Sequence, residues 1–129
     1  MPKSFLVVGG SSDIGLLLCD LLLDKGYTLT VVARDATRVE SIKSRGANVI
    51  IGDALDSEVI SSAITKTLEL GEGSITGVAH LVGSIMLRPP HALKLEAFED
   101  VIQTNLISAF LTLSLTGKAM LKTGSGRMV

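Results

Sequence analysis

Hydrophobic positions along this chain change period several times, and each change marks an element. Residues 5–8 form a short unbroken apolar run rich in β-branched side chains, the pattern of a strand buried on both faces. After a glycine-serine stretch, Ile14, Leu17, Leu18, Leu21 and Leu22 recur at i, i+3, i+4, i+7 and i+8, which predicts a helix with one apolar face. Lys25-Gly26 stops it, and residues 28–33 (TLTVVA) read as a second strand. Residues 35–45 carry Val39 and Ile42 on a charged background, a short surface helix closed by Gly46. Residues 48–51 (NVII) predict a third strand followed by the turn Gly52-Asp53. Asp56 or Ser57 caps a third helix, in which Val59, Ile60, Ala63, Ile64 and Leu68 keep helical spacing.

Residues 71–74 turn the chain into a fourth strand near 77–82, and residues 83–93, with Pro89 and Pro90, predict a loop. One long helix is expected over residues 94–121, with Phe98, Val101, Ile102, Asn105, Ala109, Phe110 and Leu113 on one side. Residues 126–129 read as the opening of a fifth strand. Strands alternating with helices at this spacing imply an α/β architecture, a doubly wound parallel sheet. Right-handed crossovers give the strand order 3-2-1-4, with the start of strand 5 beside strand 4.

Composition narrows the function classes. The 129 residues are 47% hydrophobic and carry a net charge of −1, so there is no basic footprint for nucleic acid or an anionic membrane. Residues 106–121 are the one stretch apolar enough to consider for a membrane. Ser108, Thr112, Ser114, Thr116, Gly117 and Lys118 interrupt it, and it reads as a buried helix instead. The amino terminus lacks the long apolar core of a signal peptide. Cys19 is the sole cysteine, which excludes an internal disulfide, fits a reducing, cytoplasmic compartment, and predicts a small buried hydrophobe within the first helix. His80 and His91 lack metal-ligand spacing, so core or loop roles are expected and no metal site.

The candidate chemistry sits where the first strand meets the first helix. Gly9 and Gly10 allow a sharp turn, Ser11 and Ser12 supply hydroxyls and a helix cap, and the unpaired first amides of the helix favour an anion. Strand, glycine turn and helix together predict a pyrophosphate site, with a plain βα turn of small residues as the alternative. At the end of the second strand stand Ala33 and Arg34 rather than an acidic residue. A guanidinium offers forked donors to a 2′-phosphate, so NADP(H) is preferred, with NAD(H) the alternative. Arg34 as a solvated loop cation is the plainer account. Asp53 could accept from an adenine amino group or simply close a turn, and the sequence weighs the two equally.

These parts resemble the short-chain dehydrogenase/reductase family over essentially the whole chain. The family motif T-G-x-x-x-G-x-G corresponds to V-G-G-S-S-D-I-G over residues 8–15, with Gly9 and Gly15 matching, Val8 in place of threonine and Asp13 in place of the middle glycine. The resemblance implies a Rossmann-type fold and a cofactor-binding set of Gly9, Ser11, Ser12, Asp13, Ile14, Gly15, Arg34, Asp53, Ala54 and Gly83. Arg34 corresponds to the basic residue of NADP-preferring members, and Asp53-Ala54 to the adenine-contacting aspartate. The N-N-A-G segment becomes His80-Leu81-Val82-Gly83. Asn105, within Thr104-Asn105-Leu106, corresponds to the asparagine of the family's catalytic tetrad; a residue hydrogen-bonding its own helix is the plainer alternative.

The resemblance further implies hydride transfer between a nicotinamide and a small-molecule carbonyl or alcohol. In the family a tyrosine serves as acid/base, with a lysine four residues on and a serine that orients the substrate. Tyr27 is the only tyrosine and is followed at that spacing by Val31, so it cannot fill that role. The chain is therefore expected to be the amino-terminal, cofactor-binding part of such a reductase, its sheet truncated in strand 5 and inactive alone. The alternative is a non-catalytic nucleotide-binding module or inactive remnant. Self-association is expected, as a homo-oligomer through the long helix or as aggregation at the open sheet edge.

Overall fold

A computed structural model describes residues 2–129. Its elements in order are β1 (Ser4–Val8), α1 (Asp13–Asp24), β2 (Thr28–Ala33), α2 (Glu40–Ser44), β3 (Asn48–Ile51), α3 (Ser57–Leu70) and β4 (Gly77–His80). A 3-10 turn (Pro90–Ala92) then leads to α4 (Leu95–Ile102), a π-helical turn (Gln103–Ile107), α5 (Ser108–Thr123) and β5 (Arg127–Met128). The strands form a five-stranded sheet in the order β3-β2-β1-β4-β5, every pairing parallel. Among the described residues no helix is long and apolar enough to cross a membrane.

The continuous apolar runs of the strands divide by alternation into two cores. Leu6, Val8, Val32 and Val78 face Ile60, Ala63 and Ile64 of α3 and Met120 of α5. Val7, Val31 and Ala33 face the other way, onto Cys19 of α1 and Ile42 of α2. Val7 lies between Val31 and Ala79 in register, which places β1 at the centre of the sheet.

Three expectations are corrected. In α1, Ile14, Leu17 and Leu21 are 71%, 63% and 53% exposed, while Gly15 and Cys19 face the sheet. A Cβ at Gly15 would lie 2.5 Å from the Gly9 carbonyl oxygen, so this close approach fixes the helix rotation. The leucines that flank the line, Leu16, Leu18, Leu22 and Leu23, then take the half-buried positions. Second, α2 is shorter than predicted. The Asp35 carboxylate accepts the amides of Thr37 (3.0 Å) and Arg38 (3.2 Å), a local turn that competes with helix. Val39 and Ile42 are buried nonetheless.

Third, the long helix is divided by the π-helical turn, and hydroxyl residues rather than its apolar side meet the sheet. Phe98, Ile102, Phe110 and Leu113 are exposed, whereas Ser108, Thr112, Thr116 and Met120 are buried. Small hydroxyl residues let α5 approach β4 closely, and the bulkier apolar side chains point away. Residues 106–121 are thus not a buried helix. Asp56, not Ser57, caps α3, its carboxylate accepting the Glu58 amide at 2.9 Å.

Candidate functional site

The carboxyl end of β1 carries the turn from which the site is built. Gly9 adopts φ +92°, and a Cβ there would lie 2.8 Å from the Leu81 carbonyl carbon. The amides of Gly9 and Gly10 both donate to the Val32 carbonyl, at 2.9 and 3.1 Å, tying the turn to β2. Ser12 caps α1: its hydroxyl accepts the Gly15 amide and donates to the Gly9 carbonyl, both at 3.0 Å. The first amides of α1 have no intrahelical partner, so the turn offers donors beside the positive end of the helix dipole.

This turn floors a groove of about 820 Å³ along the carboxyl ends of the strands. Gly9, Ser11 and Ser12 line its floor, and Ala33, Arg34 and Arg38 the end of β2. Gly52, Asp53 and Ala54 follow β3, Leu81 to Ser84 follow β4, and Thr104 and Ser108 close the far side. Gly9, Ser11, Ser12, Arg34, Asp53, Ala54 and Gly83 therefore share one groove. Gly15 is buried behind the turn, and Asp13 and Ile14 point outward. The volume falls within the roughly 300–1,000 Å³ of small-molecule and cofactor sites. Amide and hydroxyl donors at one end with a guanidinium at the β2 end match a dinucleotide phosphate in charge and polarity.

The charged residues divide their roles. Arg38 donates through Nη2 to the Asp13 carboxylate at 2.6 Å, so it is already engaged. Among the described residues Arg34 has no ion pair, which leaves it the available cation at the β2 end. Asp53 accepts the Leu55 amide through Oδ1 at 2.9 Å, an ordinary turn bond, and is one of the residues that line the groove.

Asn105 lies in the π-helical turn and does not line the groove itself. Its Oδ1 accepts the Ser84 amide at 3.0 Å, and its Nδ2 donates to the Ser84 hydroxyl at 3.2 Å and to the Val101 carbonyl at 2.9 Å. It thus bonds its own helix and the groove rim at once. A Cβ at Gly83 would lie 3.1 Å from Asn105 Oδ1, so the glycine permits this approach.

Ser84, Ser108 and Thr112 carry contacts the sequence did not single out. His80 Nδ1 lies 3.0 Å from Thr112 Oγ1 and Nε2 lies 3.2 Å from Ser108 Oγ. Burial pushes the His80 imidazole below its ordinary pKa. The only advance signal was a serine and a threonine four apart among the polar residues that interrupt the apolar run 106–121. Tyr27 packs on Phe5 with ring centroids 5.2 Å apart, near the amino ends of β1 and β2 and away from the groove. Among the described residues no group of three or more His, Cys, Asp or Glu side chains could hold a metal.

Residues 3–129 match the model of the short chain dehydrogenase family. The chain is 26% identical over 136 residues to D-threitol dehydrogenase of Mycolicibacterium smegmatis, covering 98% of this chain and 51% of that protein. It is 30% identical over 139 residues to a 3-oxoacyl-[acyl-carrier-protein] reductase of Bos taurus, covering 100% and 55%. The structure of an actinorhodin polyketide ketoreductase variant with NADPH superposes with a TM-score of 0.86 at 26% identity, covering 98% of this chain and 51% of that one. The chain spans about half the length of the curated relatives it matches. A parallel sheet, a glycine turn at its central strand and a family match over nearly every residue agree: the chain belongs to the short-chain dehydrogenase/reductase family of NAD(P)-dependent oxidoreductases.

Proposed function

We propose that this chain forms the NADP(H)-binding part of an oxidoreductase acting on a small-molecule carbonyl or alcohol. The observation that carries this is the joining of the α1 amino end and Arg34 in one groove. The Gly9–Ser12 turn would hold the pyrophosphate, and Arg34 would pair with a 2′-phosphate through its forked donors. Asp53 and Ala54 would border the adenine, and Gly83 with Ser84 the nicotinamide side. When bound, the cofactor supplies or accepts the hydride. Asn105 holds the Ser84 backbone and hydroxyl at the rim, which orders the wall beside that chemistry. The exposed side of α4 and α5, with Phe98, Ile102, Leu106, Phe110 and Leu113, would mediate self-association.

A non-catalytic nucleotide-binding module is the second reading. The position of Tyr27, stacked on Phe5 at the opposite ends of the strands, favours it for these 129 residues acting alone. Such a module would bind cofactor but show no carbonyl reduction above background.

Titrating NADPH and NADH into the chain tests the cofactor assignment. NADPH is expected to bind more tightly, on the order of tenfold, the scale of a charge-assisted hydrogen bond. Arg34→Ala should erase the preference, whereas Asp13→Ala should strengthen NADPH binding by releasing Arg38. Equal affinities in the parent, or an unchanged preference in Arg34→Ala, would overturn it.

A further inference from the structure

β4 ends at His80, whose imidazole turns away from the groove lining toward α5. It meets two buried hydroxyls one helical turn apart, Ser108 and Thr112. Proton counting fixes how these groups bond. The Ser108 hydroxyl has a single proton, and it donates it to the Thr104 carbonyl. Toward His80 it can therefore only accept, so Nε2 carries the ring proton. Nδ1 is then the bare nitrogen and accepts from the Thr112 hydroxyl. The neutral Nε2–H tautomer satisfies both ring nitrogens and both hydroxyls; no other form does so without turning a proton away.

The same serine closes the π-helical turn. Its amide donates to the Gln103 carbonyl, five residues back. In an α-helix that amide would serve the Thr104 carbonyl. Here the Ser108 hydroxyl serves Thr104 instead, so a side chain replaces the bond that the wide turn gives up. Within this turn Asn105 reaches Ser84, and Ser84, Thr104 and Ser108 all line the groove.

We propose that His80 is a positioning residue: its Nε2–H holds the Ser108 hydroxyl on the Thr104 carbonyl, fixes the wide turn over Gln103–Ile107, and so keeps Asn105 on Ser84 at the groove rim. The side chain at the end of the central sheet thereby reaches the rim through three links without touching a ligand. Its bearing on hydride transfer rests on the cofactor assignment above; the bonded network does not.

The test reads the network in the cofactor-free chain. Nitrogen-15 spectra of the histidines report the tautomer, with exposed His91 as the internal reference. Hydrogen exchange at the Ser84 amide and across residues 103–112 reports the turn, with α3 as the control. His80 is expected as the Nε2–H tautomer. His80→Gln keeps a donor near the Nε2 position and should retain protection. His80→Asn, which places its amide near Nδ1 instead, should not. His80→Leu and Ser108→Ala should speed exchange at Ser84 by about tenfold, the scale of one hydrogen bond, with α3 unchanged. Should His80→Leu unfold the chain, which loss of α3 protection would reveal, Ser108→Ala and the tautomer decide. An Nδ1–H tautomer, parent-like exchange in Ser108→Ala, or equal loss in the glutamine and asparagine variants would overturn the proposal. A chain that passes this test yet binds no NADPH would refute the cofactor assignment alone.

Discussion

Helices α3 and α5 lie against the same face of the sheet and are built inside out with respect to one another. α3 turns Ile60, Ala63 and Ile64 inward and leaves Ser61, Ser62, Thr65 and Glu69 to solvent. α5 buries Ser108, Thr112 and Thr116, and Met120 is its one apolar side chain counted among the buried residues; Phe110, Leu113 and Leu121 point outward. A helix held by its sheet alone needs an apolar inner stripe. α5 joins the core through Met120, with Leu115 and Ala119 packed beside it, adds hydroxyl contacts at His80, and leaves Phe110, Leu113 and Leu121 open. The contrast teaches that burial and hydrophobicity part company where polar side chains find hydrogen-bond partners inside.

The largest expected effect tests the α3 half of that contrast. Ile60→Ala empties a fully buried position and should cost about 2–5 kcal/mol of unfolding free energy, read by chemical denaturation. A cost near that of a surface change would mean that α3 does not anchor the core. On α5 the opposite should hold. Phe110→Ser removes a 65% exposed ring and should change stability by no more than about 0.5 kcal/mol, while weakening concentration-dependent association seen by light scattering. A parent that stays monomeric at high concentration would break the contrast.

The smallest effect concerns pH. Burial holds the folded His80 below its ordinary value of 6.5, so as pH falls the unfolded chain takes up the proton first. Its stabilising contribution is full above 6.5 and is lost as pH falls through the lower folded value. Between neutral pH and about pH 5 the parent should lose more of its denaturation midpoint than His80→Gln does. Parallel declines would show that His80 is not held neutral by the fold.

The sheet was legible because its signals are local. β2 and β3 begin and end where apolar runs meet glycine or a charged turn, and the observed order follows from their alternation with helices. The groove was legible for the same reason, since Gly9, Ser12, Arg34 and Asp53 each stand at a strand end. Helix rotation was not. α1 has leucine at half of its twelve positions, spread around the helix, so apolar spacing does not mark its inside, and a backbone contact at Gly15 decides instead. In α5 the inner residues are hydroxyls, which periodicity counts as polar. The His80 cluster escaped because its partners lie 28 and 32 residues away, and nothing in a strand's end announces which helix it meets.

Cys19 gives the molecule a built-in clock. It is the only cysteine, lies buried between α1 and the sheet, and has its thiol pushed up to about 12 by burial, with the neighbouring Asp20 adding to the shift. At neutral pH the folded chain offers an attacking reagent neither a thiolate nor a path. Modification can proceed only in moments when α1 lifts from the sheet. The rate at which a disulfide reagent consumes this one sulfur then measures how often the helix that follows the glycine turn opens, and a ligand seated on that turn should slow the count.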